Sequence, residues 1–173
     1  MRMLRSIAAL LALAVLAGCA SRETLDTVDD VDLERFMGDW YLIAHIPTFI
    51  EDEAYNAVES YELDGDRIET TFTFRNKGFD GPEKRYEPNA IVRDTETNAV
   101  WGMQFVWPFR SDFRIVHLDE NYATTIIGRN ARDYVWIMAR EPEISDDKYD
   151  ELVQKVADMG YDLSELRKVP QRW

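Results

Sequence analysis

Few residue types in this chain of 173 residues could carry covalent or metal chemistry. There is one cysteine, Cys19, and there are two histidines, His45 and His117. The histidines do not stand at the spacing of a metal site with a carboxylate, and no G-x-S-x-G sequence marks a nucleophilic serine. A catalytic Ser–His pair remains an alternative, although no motif supports it. We therefore expect no enzyme and no cofactor, with His45 at the surface or at a rim near the first loop and His117 at a strand end.

Cys19 follows a segment typical of an export signal. Residues 1–18 place Arg2 and Arg5 before the apolar run IAALLALAVLAG, which is too short to span a membrane comfortably. The sequence LAGC at 16–19 resembles the lipobox of bacterial lipoproteins, and Ala20 in place of aspartate implies sorting to the outer membrane. A single cysteine in an exported protein has no disulfide partner, and acylation would explain it. An ordinary signal peptide with an unrelated cysteine is the alternative.

The remaining chain has the length of one domain and is strongly acidic. We expect residues 19–31 to form a polar, lipidated tether and residues 32–173 to form the domain. The net charge of −13 becomes −15 once the two arginines of the signal are removed. Nucleic acid is therefore excluded as a partner, because phosphate binding needs a basic face. Attraction to anionic lipid is excluded for the same reason, so the covalent lipid would hold the protein at a membrane.

Short alternating runs separated by turn signals predict the fold. They favour an all-β protein, an eight-stranded antiparallel up-and-down β-barrel with one C-terminal α-helix packed outside. The helix is expected to begin after the N-cap Ser145 and to end before Gly160. A barrel of this size has room for one small ligand. The predicted strands are 40–46, 55–63, 67–75, 84–93, 99–107, 112–118, 122–129 and 134–140.

Side chains alternate across a strand, so each strand offers an inward and an outward set. The outward set of the last strand is apolar, which predicts that the helix covers it. Glu59 falls on an inward set. Three explanations are open: Glu59 pairs with another group inside the barrel, it meets a ligand head group near the mouth, or the predicted register of this strand is off by one residue. A solidly packed barrel without a cavity is the alternative to a binding site. The inward sets include Ile68, Thr70, Phe72, Phe74; Trp101, Met103, Phe105, Trp107; Phe113, Ile115, His117; and Tyr134, Trp136, Met138, Arg140.

Three short motifs resemble those of the lipocalin family. Gly38-Asp39-Trp40, after a helical turn, resembles the G-x-W signature of the family. The sequence LDENY at 118–122 resembles the second motif, and Arg140 matches the arginine of the third motif. With the lipobox, the chain is similar to bacterial outer-membrane lipocalin lipoproteins, and in role to apolipoprotein D and plant temperature-induced lipocalins. The resemblance implies a fatty acid or lysophospholipid ligand. It also implies storage or transport in envelope maintenance under stress.

The same resemblance implies a location at the cell outer membrane, anchored by the N-terminal lipid and facing the periplasm. Dimers occur among such proteins, so a homodimer is a further expectation. Many secreted lipocalins have a disulfide that fixes the C-terminal segment, and this chain lacks it. We therefore expect the tail to dock by packing alone. The competing functions are a filled-barrel structural or interaction lipoprotein and, with less support, a lipid-modifying enzyme.

The expected roles divide between the two ends of the barrel. Gly38 allows a sharp turn into the first strand, Trp40 fills the closed end, and Arg140 stacks on the Trp40 indole. Trp40→Ala is expected to destabilise more than Phe113→Ala, a substitution placed at the mouth. Glu59 would meet a cationic head group near the mouth. The expected chain contacts are Tyr61, Phe72, Met103, Phe105, Phe113, Ile115, Tyr134 and Trp136, with Ala44, Ile68 and Thr70 behind them.

Overall fold

The structure is a computed structural model that describes residues 24–48, 51 and 53–173. The predicted signal peptide and Cys19 lie outside this part of the chain. Neither α-helix of the described residues is long and apolar enough to cross a membrane. The helices are α1 (Leu33–Phe36) and α2 (Asp146–Asp158), and a 3₁₀ turn spans Leu163–Glu165. The strands are β1 (Gly38–Ile46), β2 (Ala54–Asp64), β3 (Arg67–Asn76), β4 (Glu83–Tyr86), β5 (Asn89–Val92), β6 (Val100–Val106), β7 (Phe109–Leu118), β8 (Thr124–Gly128), β9 (Val135–Ala139) and β10 (Arg167–Lys168).

Eight of these strands close into a barrel, as the sequence predicted. The order is β1-β2-β3-β5-β6-β7-β8-β9, and β9 pairs back with β1 so that Tyr41 lies opposite Ala139. All strands that are neighbours in this order pair in an antiparallel direction. Two short strands are additional, since β4 pairs with β3 and β10 with β1. Closure leaves the main strands with paired edges.

Two strand predictions are wrong next to a proline. The strand predicted over 84–93 is interrupted at Glu87 and Pro88, where the missing N–H ends β4 before β5 begins. The turn predicted after residue 107 is shorter than expected, because β7 already begins at Phe109. Trp107 therefore occupies the tip of the β6–β7 hairpin beside Pro108. It is 82% exposed and does not point inward.

β-Bulges reverse the predicted faces at two places. An irregularity between Leu42 and Ala44 places Ala44 opposite Ile137 on the outer side and turns His45 toward the interior, opposite Trp136. Ala44 is thus not behind the cavity, and His45 is 2% exposed rather than at a rim. A second bulge follows Ile115 and directs His117 outward, opposite Ile126. One extra residue in a strand shifts the alternation beyond it, which explains all of these errors.

Apolar side chains form one cluster inside the barrel and a second between the sheet and α2. The outer cluster joins Val135, Ile137 and Ala139 of β9 to Leu152 and Val156 of the helix, which confirms the predicted position of α2. Its start is fixed by the predicted N-cap, since the Ser145 hydroxyl accepts a 3.2 Å bond from the Lys148 N–H. The helix covers a face of β9 that would otherwise be exposed.

The C-terminal tail is held by hydrogen bonds as well as by packing. Val169 donates its N–H to Ile43 O at 2.9 Å, beside the bulge of β1. The Gln171 side chain donates to Leu42 O at 2.8 Å and to Ala57 O at 3.2 Å, next to the bulges of β1 and β2. The expectation of packing alone is therefore wrong, because the bulges leave carbonyls that the tail can bind. Trp173 packs edge-on against Tyr41 but stays 68% exposed.

Candidate ligand-binding cavity

The G-x-W segment closes one end of the barrel. Gly38 has a φ of +91°, which glycine adopts without strain, and the chain turns there from the α1 lid into β1. Trp40 is fully buried and donates its indole N–H to Phe36 O at 2.9 Å. The indole packs against the Phe36 ring at a centroid distance of 5.0 Å. Trp40 thus fixes the lid to the first strand and fills the base of the barrel.

Arg140 connects the lid, the first strand and the turn before β8. Its guanidinium lies over the Trp40 ring at 3.8 Å, the stacking that the sequence predicted. It also donates hydrogen bonds to five backbone carbonyls, which no lysine could match because the planar fork carries five N–H groups. The acceptors are the carbonyls of Arg35, Phe36, Met37, Asp39 and Tyr122.

The LDENY turn completes this closed end. The Asp119 carboxylate accepts backbone bonds from Asn121, Ala123 and Thr124 at 2.9–3.0 Å. Partial burial acts to raise the pKa of Asp119, but these bonds outweigh burial and hold the pKa below its ordinary value. The Tyr122 ring then lies under the Arg35 guanidinium at 4.0 Å. All three motifs therefore serve the closed end.

An aromatic layer separates the closed end from the interior above it. Trp101 and Phe113 stack at 4.9 Å with nearly parallel rings, and Tyr61 meets both rings edge-on. Phe36 contacts Trp101 from the other side at 5.4 Å. All four side chains are at most 3% exposed, so the layer is tightly packed. The barrel is therefore filled at its base. A packed core was the alternative for the whole interior, and it is correct for this part.

Above the aromatic layer the barrel contains a cavity of about 200 Å³. Six of its thirteen lining residues are aromatic and five are polar or charged. The alternative of a barrel that is filled throughout is therefore wrong for this half of the interior. The lining residues are Thr48, Glu51, Glu59, Phe72, Met103, Phe105, Val106, Phe109, Ser111, Asp112, Phe113, Tyr134 and Trp136.

Seven of the ten predicted ligand residues line the cavity: Glu59, Phe72, Met103, Phe105, Phe113, Tyr134 and Trp136. Three do not. Tyr61 belongs to the aromatic layer and Ile115 to the packed base, while Thr70 directs its hydroxyl toward the Met103 sulfur at 3.9 Å. Ile68 is likewise part of the filled interior. Phe113 is 3% exposed and stacked on Trp101, so it is not a mouth residue.

Six lining residues were missed by the sequence analysis: Thr48, Glu51, Val106, Phe109, Ser111 and Asp112. Thr48 and Glu51 lie in the β1–β2 loop, where no periodicity indicates an inward direction. Phe109 and Ser111 were assigned to a turn, although their spacing with Phe113 continues the inward set of β7. That spacing is the signal that would have found them.

The mouth of the cavity is apolar and exposed. Phe105, Val106 and Phe109 line the cavity yet are 42%, 67% and 75% exposed. They continue onto Trp107 at the tip of the β6–β7 hairpin. An exposed group of large apolar side chains usually marks a contact with another apolar partner.

Glu59 lies deep in the cavity rather than at its mouth. It stands opposite Trp40 on one side and Phe72 on the other, just above the aromatic layer. Burial raises the pKa of Glu59 to about 7, and the nearby Glu51 charge adds to the increase. The Tyr61 hydroxyl approaches closely enough to oppose that increase, although the two groups do not reach hydrogen-bond geometry. The carboxyl thus reduces its burial cost by holding its proton, not by pairing.

Glu51 is the second acidic group of the same wall. It accepts hydrogen bonds from the Thr48 N–H at 2.9 Å and from the Thr48 hydroxyl, and its Oε1 lies 3.9 Å from His45 Nδ1. Burial acts to raise the pKa of Glu51, but these contacts with His45 and Thr48 prevail and lower it. Glu51 is therefore ionised at neutral pH, whereas Glu59 titrates close to neutral pH.

No set of three or more histidine, cysteine, aspartate or glutamate side chains in the described part of the chain is arranged to hold a metal ion. His45 is inside the barrel, while His117 lies on the outer face near Glu151 and Lys155 of α2. The two histidines therefore belong to different environments.

Comparisons with known proteins agree with this geometry. Residues 31–171 match the family model of the lipocalin-like domain. The chain is 28% identical to temperature-induced lipocalin-1 of Arabidopsis thaliana over 82% of this chain and 80% of that protein. It is 29% identical to outer membrane lipoprotein Blc of Escherichia coli K12, covering 81% and 79%.

Solved structures share the fold at lower identity. Lobster apocrustacyanin A1 superposes with a TM-score of 0.65 at 13% identity, covering 82% of this chain and 81% of that one. Insecticyanin of the tobacco hornworm Manduca sexta also gives a TM-score of 0.65, at 16% identity and with 85% and 84% covered. The barrel, the three motifs at its closed end and the family match lead to one conclusion: the chain belongs to the lipocalin family.

Proposed function

We propose that the protein binds amphipathic lipids with a single chain, such as fatty acids and lysophospholipids, in the cavity of its barrel. The observation that carries the proposal is an apolar cavity open at one end of a barrel whose other end is sealed. The bound chain would lie against Phe72, Met103 and Trp136, where each buried methylene contributes about 0.8 kcal/mol. No bond is made or broken in this function.

The size of the cavity favours one acyl chain over two. Its volume of about 200 Å³ is below the range of roughly 300–1,000 Å³ that is common for drug-sized ligands. The exposed Phe105, Val106 and Phe109 support uptake from an apolar surface, because a chain that leaves a bilayer would meet apolar groups before it meets water.

We further propose that the protein is exported and anchored at the cell outer membrane, on its periplasmic face, by acyl chains on Cys19. The lipobox-like sequence and the similarity to a protein named outer membrane lipoprotein support this proposal. Storage or transport of lipid in envelope maintenance under stress would follow from the same location. Cys19→Ser should move the protein from the membrane fraction to the soluble periplasmic fraction. Retention in the membrane would contradict the anchor.

The binding function is tested with a pair of tryptophan substitutions. Ser111→Trp places a large side chain in the cavity, whereas Thr73→Trp adds the same group on the outward face of β3. Displacement of N-phenyl-1-naphthylamine by lysophosphatidylcholine should weaken at least tenfold in the first variant and stay unchanged in the second. Native mass spectrometry of protein extracted from membranes should show a lipid of one chain. Equal affinities in both variants would refute the cavity as the site.

A further inference from the structure

The polar groups of the cavity are unevenly placed. The exposed end is formed by Phe105, Val106 and Phe109, whereas the acidic groups Glu51 and Glu59 belong to the opposite wall, with Glu59 against the floor. A lipid that leaves its polar group at the mouth would place that group beside Phe105, Val106 and Phe109, none of which can bind it. A lipid that enters with its polar group first would bring that group to the two carboxyl groups and its chain to the apolar mouth.

The charge of this wall has one sign. Glu51 is ionised, and none of the lining residues in the described part of the chain is lysine, arginine or histidine. The Asp112 carboxylate is already engaged, since it accepts bonds from Arg114 Nε and the Asn130 N–H, each at 3.0 Å. An anionic head group would be buried beside like charge, and the lining supplies no lysine or arginine to balance it. A cationic head group would find two carboxyl groups.

Unpartnered polar groups mark the same place. The Tyr61 hydroxyl is buried beside Glu59 and, within the residues that the structure describes, makes no hydrogen bond. Tyr61 is 3% exposed, so no bulk water satisfies it. A buried hydroxyl without a partner costs free energy unless a ligand or an ordered water binds it. An unpaired hydroxyl next to a carboxyl group in a cavity indicates a ligand that binds both groups.

We propose that the cavity selects an amphiphile with one alkyl chain and a terminal ammonium group, bound with the ammonium against Glu59, near enough to Glu51 to feel its charge, and with the chain toward Phe105 and Phe109. This inference rests on the proposed function and narrows it: it adds the head group and the direction of binding, and it ranks fatty acids below amines of the same chain length. An ammonium carries N–H donors that the Glu59 carboxylate and the Tyr61 oxygen can accept. The net charge of −13 also attracts a cationic ligand and repels an anionic one.

The site should respond to pH through Glu59. The groups that face the two carboxyls are Tyr61, His45 and Thr48, and Arg140 acts on Tyr61 from the closed end. Arg140 is occupied by backbone carbonyls and by Trp40, so it does not serve as the counter-ion. Since Glu59 ionises near pH 7, the ammonium meets a negatively charged carboxylate above that pH and a neutral carboxyl group below it. Affinity for an amine should rise between pH 5.5 and 8.

The test compares 1-dodecylamine, 1-dodecanol and dodecanoate, which share a chain length and differ in charge. Each displaces N-phenyl-1-naphthylamine from the full-length protein at pH 8. We expect the amine to bind at least about tenfold more tightly than the alcohol, as a hydrogen bond to a charged group implies, and dodecanoate to bind most weakly. Glu59→Gln should remove most of the preference for the amine over the alcohol, together with the pH dependence of that preference.

Glu62→Gln supplies a matched control. It removes the same charge from an exposed position of β2, three residues away, and should preserve the preference for the amine. If dodecanoate binds as tightly as the amine, or if the preference survives in both Glu59→Gln and Glu51→Gln, the inference is overturned while the cavity still binds lipid. If none of the three ligands binds, the proposed function itself fails.

Discussion

Replacement of Arg140 by methionine should cost about 3 kcal/mol of unfolding free energy. The substitution keeps most of the side-chain length but removes all five backbone hydrogen bonds of the guanidinium and its contact with Trp40. The carbonyls of Arg35 and Asp39 are exposed, so water replaces the arginine there. Phe36 O keeps the bond from the Trp40 indole at 2.9 Å.

The loss thus comes from two partly buried carbonyls and one ring contact. Met37 O and Tyr122 O lose a charged donor, at about 1 kcal/mol each when partly buried, the low end of the cost of an unsatisfied acceptor. The cation–π contact adds about 1 kcal/mol. With a urea dependence of about 2 kcal/mol per molar, the midpoint of unfolding should fall by about 1.5 M.

Urea unfolding followed by tryptophan fluorescence measures this change. Arg85→Met is the matched control, since Arg85 pairs with Glu87 at the surface, where an ion pair contributes about 0–1 kcal/mol. Arg140→Lys should recover less than half of the loss, because one ammonium cannot reach the same set of carbonyls. If Arg140→Met shifts the midpoint no more than Arg85→Met does, the closed end is not held together in the way described.

Three further changes test other parts of the molecule. Trp40→Ala, at a fully buried position, should lower stability by about 3–5 kcal/mol, whereas Phe109→Ala at the exposed mouth should change it by less than about 0.5 kcal/mol; equal melting temperatures would contradict this. Leu152→Ala should cost about 2–4 kcal/mol and release the helix from the barrel, which faster amide exchange in α2 would reveal, while Lys148→Ala should leave exchange unchanged. The pKa of Glu59 in the folded protein, about 7, exceeds the ordinary 4.5, so the stabilisation from its bound proton is complete below pH 4.5 and is lost as the pH rises to 7. The free energy of unfolding should change by about 3 kcal/mol over this range. Unfolding measured as a function of pH should show this loss in the native chain, and an identical profile in Glu59→Gln would disprove it.

The sequence predicted those parts of the barrel in which alternation is regular. The inward set of β3 and the two faces of β9 are found as expected, because nothing interrupts the period of two there. Ala44 and His117 were misplaced, because a bulge depends on pairing with a distant strand and leaves no local signal. The inward position of Glu51 depends on how the β1–β2 loop folds over the opening. Periodicity does not describe such a loop.

The candidate site was harder to predict than the fold for a related reason. The same aromatic residue types fill the base and line the cavity, so composition does not tell where packing stops. Phe113 shows this, since it stacks on Trp101 below and faces the cavity above. The height of Glu59 in the barrel follows from its register with Trp40, which only the paired strands reveal.

The C-terminal tail has a consequence for the order of folding. Strand β1 lies near the start of the domain, but its upper half is paired on one side with β9 and on the other with β10, where Ala44 faces Lys168. The β1–β2 hairpin joins the two strands only over Gly38–Tyr41. A chain emerging from the ribosome or from a translocation pore therefore cannot complete its first strand until nearly all of the domain has followed. Late closure of this kind slows folding and leaves the barrel open until the last strands of the domain have been synthesised.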